Sequence, residues 1–202
     1  MTMTDDSTAP ATTRRPRLSA TDLALVAAFA ALIAACTVVG GIPVGGAGVE
    51  ITLQTFGIAL TGALLGAVRG TLAVAVYLAL GAAGLPIFSG HSSGLGVFTG
   101  LTAGYLWSFL AVAFVTGLLV RYAARGRRTS AFVVFLCCLP GVGLNHLLGI
   151  LGMAAFSDVP FSTAAGWDAP FWLGDIVKAL VVALVAAEVH RAFPQLLGRR
   201  TR

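Results

Sequence analysis

Residues 51–85 read ITLQTFGIALTGALLGAVRGTLAVAVYLALGAAGL, an apolar run in which Arg69 is the single charged side chain. A charge at the centre of a membrane-crossing helix costs about 2.5–3.5 kcal/mol on insertion scales, so Arg69 belongs at a surface and divides the run in two. The expected spans are Ile51–Val68 and Gly70–Leu85. About 20 apolar residues carry a helix across roughly 30 Å of hydrocarbon, a length the first arm approaches and the second falls short of. The apolarity is continuous, without the alternation of a barrel strand, which points to helices.

The same reading carried outward marks four more spans: Ala20–Val39, Val97–Val120, Ala131–Phe156 and Pro170–His190. The expected fold class is all-α, a polytopic integral membrane protein built as a six-transmembrane-helix bundle over residues 20–190. Residues 1–19 are polar and read as a disordered cytoplasmic N-terminal tail; residues 191–202 read as a basic cytoplasmic tail. Hydrophobic residues make up 57% of the chain and charged residues 10%, a balance that excludes a soluble globular domain. The first apolar stretch is too long for a cleavable signal peptide, lacks a cleavage site and reads as a retained anchor.

Charge then sets orientation, because cytoplasmic loops of membrane proteins hold the excess of Lys and Arg. Arg14, Arg15 and Arg17 precede the first span, Arg69 separates the second and third, Arg121, Arg125, Arg127 and Arg128 separate the fourth and fifth, and Arg191, Arg199, Arg200 and Arg202 follow the sixth. All fall on one side. The opposite loops carry Glu50, His91, Asp158 and Asp168. A multi-pass protein of the cell membrane with both termini cytoplasmic is expected. The net charge of +5 has this topological explanation, and the arginines show no aromatic interleaving or spacing that would suit nucleic acid.

Several chemistries find no support. Cys36, Cys137 and Cys138 lie within spans as small apolar side chains, and His91, His146 and His190 lack ligand spacing, so neither a disulfide nor a metal site is expected. The sole lysine, Lys178, is followed by Ala179, which excludes a Walker loop, and no nucleophile elbow is present. The chain is not expected to be an enzyme or to hold a nucleotide.

The last span, PFWLGDIVKALVVALVAAEVH at 170–190, carries Asp175 and Lys178. Residues three apart on a helix differ by about 60° in direction and 4.5 Å in height, so the two project toward one region. Intramembrane ionisable residues of this kind serve a ligand, ion or proton, although a pair that only holds helices together is the plain alternative. Gly174 gives backbone access, and Phe171 and Trp172 supply apolar walls. Glycine-rich loops at 43–50 and 89–96 lie on the same side, as lids or as tight connections. Gln54, Asn145 and His146 either reach the interior or bond a neighbouring helix, and Tyr105 and Trp107 either face a ligand or sit at the interface. Ala27, Ala31 and Ala35 form a small-residue stripe on the first span, suited to docking another helix or to packing within the bundle.

Taken together, ITLQT, the arginine-glycine turn, YLALGAAGLPIF, GLGVFTGLTAGYLWSF and GDIVKAL resemble the BioY family, the biotin-binding membrane component of energy-coupling-factor vitamin transporters, over roughly residues 20–190. The resemblance implies a six-helix capture subunit, or S component. Such a subunit binds biotin from outside and docks, through Ala27, Ala31 and Ala35, onto a transmembrane coupling subunit driven by two ATPase subunits. It also implies that Asp175 and Lys178 contact the ligand; around them Tyr105 and Gln54 are candidate contacts, and Phe88, Phe98 or Trp172 candidate apolar surface. The cyclic urea of biotin offers two N–H donors and one carbonyl, matching a carboxylate acceptor and an ammonium donor.

The chain departs from the family pattern at Gly100–Tyr105, which reads GLTAGY where a glycine-proline-threonine-glycine-glycine-tyrosine run is common, and at His91, Ser92 and Ser93 in place of glycines. No external arginine is present to meet the ligand carboxylate. Competing readings are an S component for another small vitamin, a self-sufficient secondary transporter with Asp175 carrying a proton, and a structural subunit.

Overall fold

A computed structural model describes residues 18–44, 48–124 and 130–197. The expected tails therefore lie outside the described residues up to position 17 and from 198, as do Arg125, Arg127 and Arg128. Ser19 opens the first helix with a capping box: its hydroxyl accepts from Asp22 N–H at 3.1 Å and its own N–H donates to Asp22 Oδ2 at 3.0 Å. Helix α1 spans Ala20–Val38. Strands β1 (Ile42–Val44) and β2 (Val49–Ile51) then form a short antiparallel hairpin, with Pro43 opposite Glu50. Helix α2 spans Gln54–Ala82, α3 Ala103–Ala123, α4 Ala131–Ser157 and α5 Phe161–Ala192.

Among the described residues five helices are long and apolar enough to cross a membrane, against the six expected. The difference lies in α2. Its helical run contains Gly66 at φ 78°, ψ 178°, a conformation open to glycine alone, and the chain folds back there. A Cβ on Gly70 would sit 3.0 Å from Gly62 Cα, and the Gln54 side chain reaches the Tyr77 hydroxyl at 2.6 Å. Two antiparallel arms thus stand where the two spans were expected, and the turn between them falls at Gly66, ahead of Arg69.

The arginines complete that turn. Arg69 Nε and Arg121 Nη2 both donate to Leu65 O, at 3.2 and 3.0 Å, the carbonyl next to the turn at Gly66. Arg69 Nη1 also bonds Asp22 Oδ1 at 2.9 Å and Nη2 bonds Leu196 O at 3.4 Å. These bonds tie together the start of α1, the turn within α2, the end of α3 and the segment after α5.

Glycines let the helices meet closely, as packing in lipid requires. A Cβ on Gly152 would collide with Gly104 Cα at 2.5 Å, and one on Gly117 would strike the backbone around Gly66. Buried Ile33, Ile58, Tyr77, Phe88, Leu106 and Phe109 fill one half of the interior; Ala59, Val120, Val134, Cys138 and Val182 fill the other.

Two boundaries are corrected. The fourth span begins at Ala103 instead of Val97, because residues 95–99 form a 3-10 turn. The last begins at Phe161 instead of Pro170, which lies inside the helix. Asp168 is consequently a helix residue with a fully buried side chain, not a loop acid.

Candidate functional site

Between the β-hairpin, the segment after α2 and helices α2 to α5 lies a cavity of about 550 Å³, counting its open mouth. Its walls are Phe88, Tyr105, Leu106, Phe109 and Phe171. The loop end is lined by Glu50, Thr52, Ser89 and Thr102, and the deep end by Thr55, Asn145, Asp175 and Lys178. Gln54, at the start of α2, stands between them.

Asp175 and Lys178 are both largely buried, with side-chain exposures of 6% and 13%, and their charges meet at 2.7 Å. Thr55, brought in on the first arm of α2, donates its hydroxyl to Asp175 Oδ1 at 2.9 Å and accepts from Lys178 Nζ at 3.1 Å. Asp175 Oδ1 therefore carries two short bonds. Oδ2 has only distant neighbours, Asn145 Nδ2 and His146 Nε2, each at 3.5 Å. Asn145 is held in turn by Ser108, whose hydroxyl donates to its Oδ1 at 2.8 Å.

Behind this pair stands a second polar group. Asp168 accepts from Tyr105 O–H at 2.5 Å and from Trp172 Nε1–H at 2.8 Å, and lies 2.8 Å from His146 Nδ1. The Tyr105 hydroxyl, the Trp172 indole and the His146 ring thus share one buried carboxylate, which joins α3, α4 and α5 inside the bundle. A smaller void of about 310 Å³ shares Thr55, Asn145, Asp175 and Lys178 and continues to Val112 and Cys138.

The structure brings five of the expected residues, Asp175, Lys178, Tyr105, Phe88 and Gln54, to one cavity. Trp172 is placed elsewhere. Its ring stacks on His146, centroids 4.2 Å apart, and is 41% exposed on the outer side of α5. The helical step of about 100° per residue turns Trp172 away once Phe171 faces inward. Phe98 packs edge-on against Phe88 and Trp107 outside the cavity lining. Ala27, Ala31 and Ala35 form an exposed row on α1, opposite the buried Val26, Ala30 and Ile33.

Sequence reading missed Asp168, Thr55 and Glu50. Asp168 was masked by Pro170, which suggested a helix start; Thr55 had a signal in its position beside Gln54. Glu50 joins the two external loops, its Oε2 accepting from Ser89 O–H at 3.1 Å and Gly90 N–H at 2.9 Å, a pairing that only the fold reveals.

Five helices long and apolar enough to cross a membrane, set around a cavity with apolar walls and a buried ion pair at its deep end, give the architecture of a polytopic membrane protein with an internal cavity. Comparison with known proteins then places it: the family model described as BioY family matches residues 8–195, and the chain belongs to that family. It is 42% identical to "Biotin transporter BioY" of Rhodobacter capsulatus, over 89% of this chain and 98% of that one. It is 36% identical to "Biotin transporter BioY" of Rhizobium etli, over 90% of this chain and 100% of that one. Among solved structures it is similar to the S-component for biotin from an ECF-type ABC transporter, with a TM-score of 0.80 and 28% identity over 85% of this chain and 91% of that one.

Proposed function

We propose that this chain is the substrate-capture subunit of a biotin uptake transporter, binding biotin from the external side and passing it inward with an ATP-driven coupling module. One observation carries the reading: a bonded carboxylate and ammonium stand at the deep end of an apolar-walled cavity. Asp175 Oδ2, short of close donors, is free to accept from a urea N–H. Lys178 has three N–H donors and spends two on Asp175 and Thr55, which leaves one for the urea carbonyl. Charge-assisted bonds of this kind are strong where water is excluded. The thioether ring and side chain then lie against Phe88, Tyr105, Phe109 and Phe171.

The exposed row Ala27, Ala31 and Ala35 serves as the docking face for a transmembrane coupling subunit, which two ATPase subunits energise. The chain itself uses no nucleotide or cofactor. The arginine-rich end is cytoplasmic, with both termini, and the β-hairpin and Ser89–Thr102 segment face outside.

A thermal-shift screen of the purified protein against small vitamins tests this reading, because a ligand bound only by the folded state adds about 2.7 kcal/mol at a hundredfold excess over Kd. Biotin alone should raise the transition; a different vitamin doing so in its place would refute it. The file Asp168, His146 and Asp175, with imidazole distances of 2.8 and 3.5 Å, favours one second reading, a self-sufficient proton-coupled carrier. Uptake by the isolated chain in liposomes, lost when the proton gradient is collapsed, would select it.

A further inference from the structure

Among the described lining residues Glu50 is the one acid besides Asp175, and it stands at the loop end. Its position is fixed from two sides. Ser89 and Gly90 bond its Oε2, and Gly41 packs so closely that a Cβ there would lie 2.6 Å from Glu50 Cβ. Among the described lining residues the one cation is Lys178, at the other end, with its ammonium engaged by Asp175 and Thr55. Among the described side chains of the mouth, Thr52, Ser89 and Thr102 add hydroxyls.

A ligand whose cyclic urea rests on Asp175 and Lys178 extends its side chain toward this fixed carboxylate. A terminal carboxylate meets a like charge there, whereas an amide does not and an ammonium is attracted. We infer that the site accepts cyclic-urea ligands whose side chain ends in a neutral amide or an ammonium as well as biotin, and that Glu50 ranks them with ammonium first and carboxylate last. The inference rests on the ligand orientation proposed above.

Calorimetric titration of the full-length protein in detergent tests it, using biotin, biotinamide and N-(2-aminoethyl)biotinamide on the wild type, Glu50→Gln and Asp175→Asn. Biotinamide should bind at least as tightly as biotin and the aminoethyl amide about three- to tenfold more tightly, the span expected of one partly solvated charge contact. Glu50→Gln should bring the ratio between the cationic amide and biotin to within about twofold. If biotin binding is lost in Asp175→Asn while both amides bind more than about thirtyfold weaker than biotin to the wild type, the side-chain carboxylate has a partner and the inference is overturned. An unchanged ratio in Glu50→Gln overturns the role of Glu50. Biotin binding that ignores Asp175→Asn overturns the orientation itself, and the ranking with it.

Discussion

Gln54 and Tyr77 are hydrogen-bonded at 2.6 Å although 23 residues separate them within one helical run. A straight helix would hold them about 35 Å apart. The fold-back at Gly66 is what brings them together, and it also sets Gln54 and Thr55 beside α5, where the cavity forms. Tyr77 completes the join by donating to Ile87 O at 2.8 Å, next to the wall residue Phe88. Site and turn are therefore one structural unit.

Gly66→Ala should be strongly destabilising. The backbone conformation excludes a Cβ at a cost of about 1–3 kcal/mol, and the added atom would collide with the Arg121 guanidinium that caps Leu65 O. Thermal unfolding in detergent should show a clearly lowered transition. An unchanged transition would mean that the fold-back tolerates side chains.

Asp168→Asn should cost about 1–3 kcal/mol, because the Tyr105 hydroxyl, the Trp172 indole and the His146 ring all bond this one carboxylate. Trp172→Phe removes one of those bonds and keeps the ring stack on His146, so its effect on stability should be smaller. Since the indole lies outside the cavity lining, biotin affinity should stay within about threefold of wild type. A loss comparable to that of Asp175→Asn would place Trp172 in the site after all.

Ala31→Leu adds bulk on the exposed row of α1, away from the cavity. Biotin binding by the isolated chain should be unaffected, while ATP-driven uptake by the complete transporter should fall at least about tenfold, since close helix approach needs small residues. Wild-type uptake by the variant would move the docking face elsewhere.

Much of this was legible in the chain. The helix Ala131–Ser157 was placed by apolarity alone, the start of the last was set nine residues late, and Asp175 and Lys178 stood out as ionisable residues in an apolar run. Spans two and three were seen as separate because Arg69 breaks the apolar run, but the physical break is at Gly66, whose role depends on a backbone angle that hydropathy does not carry. Asp168 was read as a loop acid because hydropathy registers its charge and not the three side chains that bond it. Trp172 was assigned by adjacency to Phe171, whereas neighbours on a helix face different ways. Glu50 and Ser89, 39 positions apart, meet only when the loops are folded.

Biotin titration of Asp175→Asn, Lys178→Met and the double variant, with thermal unfolding measured alongside, asks whether the pair grips the ligand. Each single change should weaken binding at least about tenfold, near 1.4 kcal/mol. The double variant should lose less than the sum, because the partners touch each other. Folded single variants that bind biotin as tightly as the wild type would show that the ion pair only holds the bundle together.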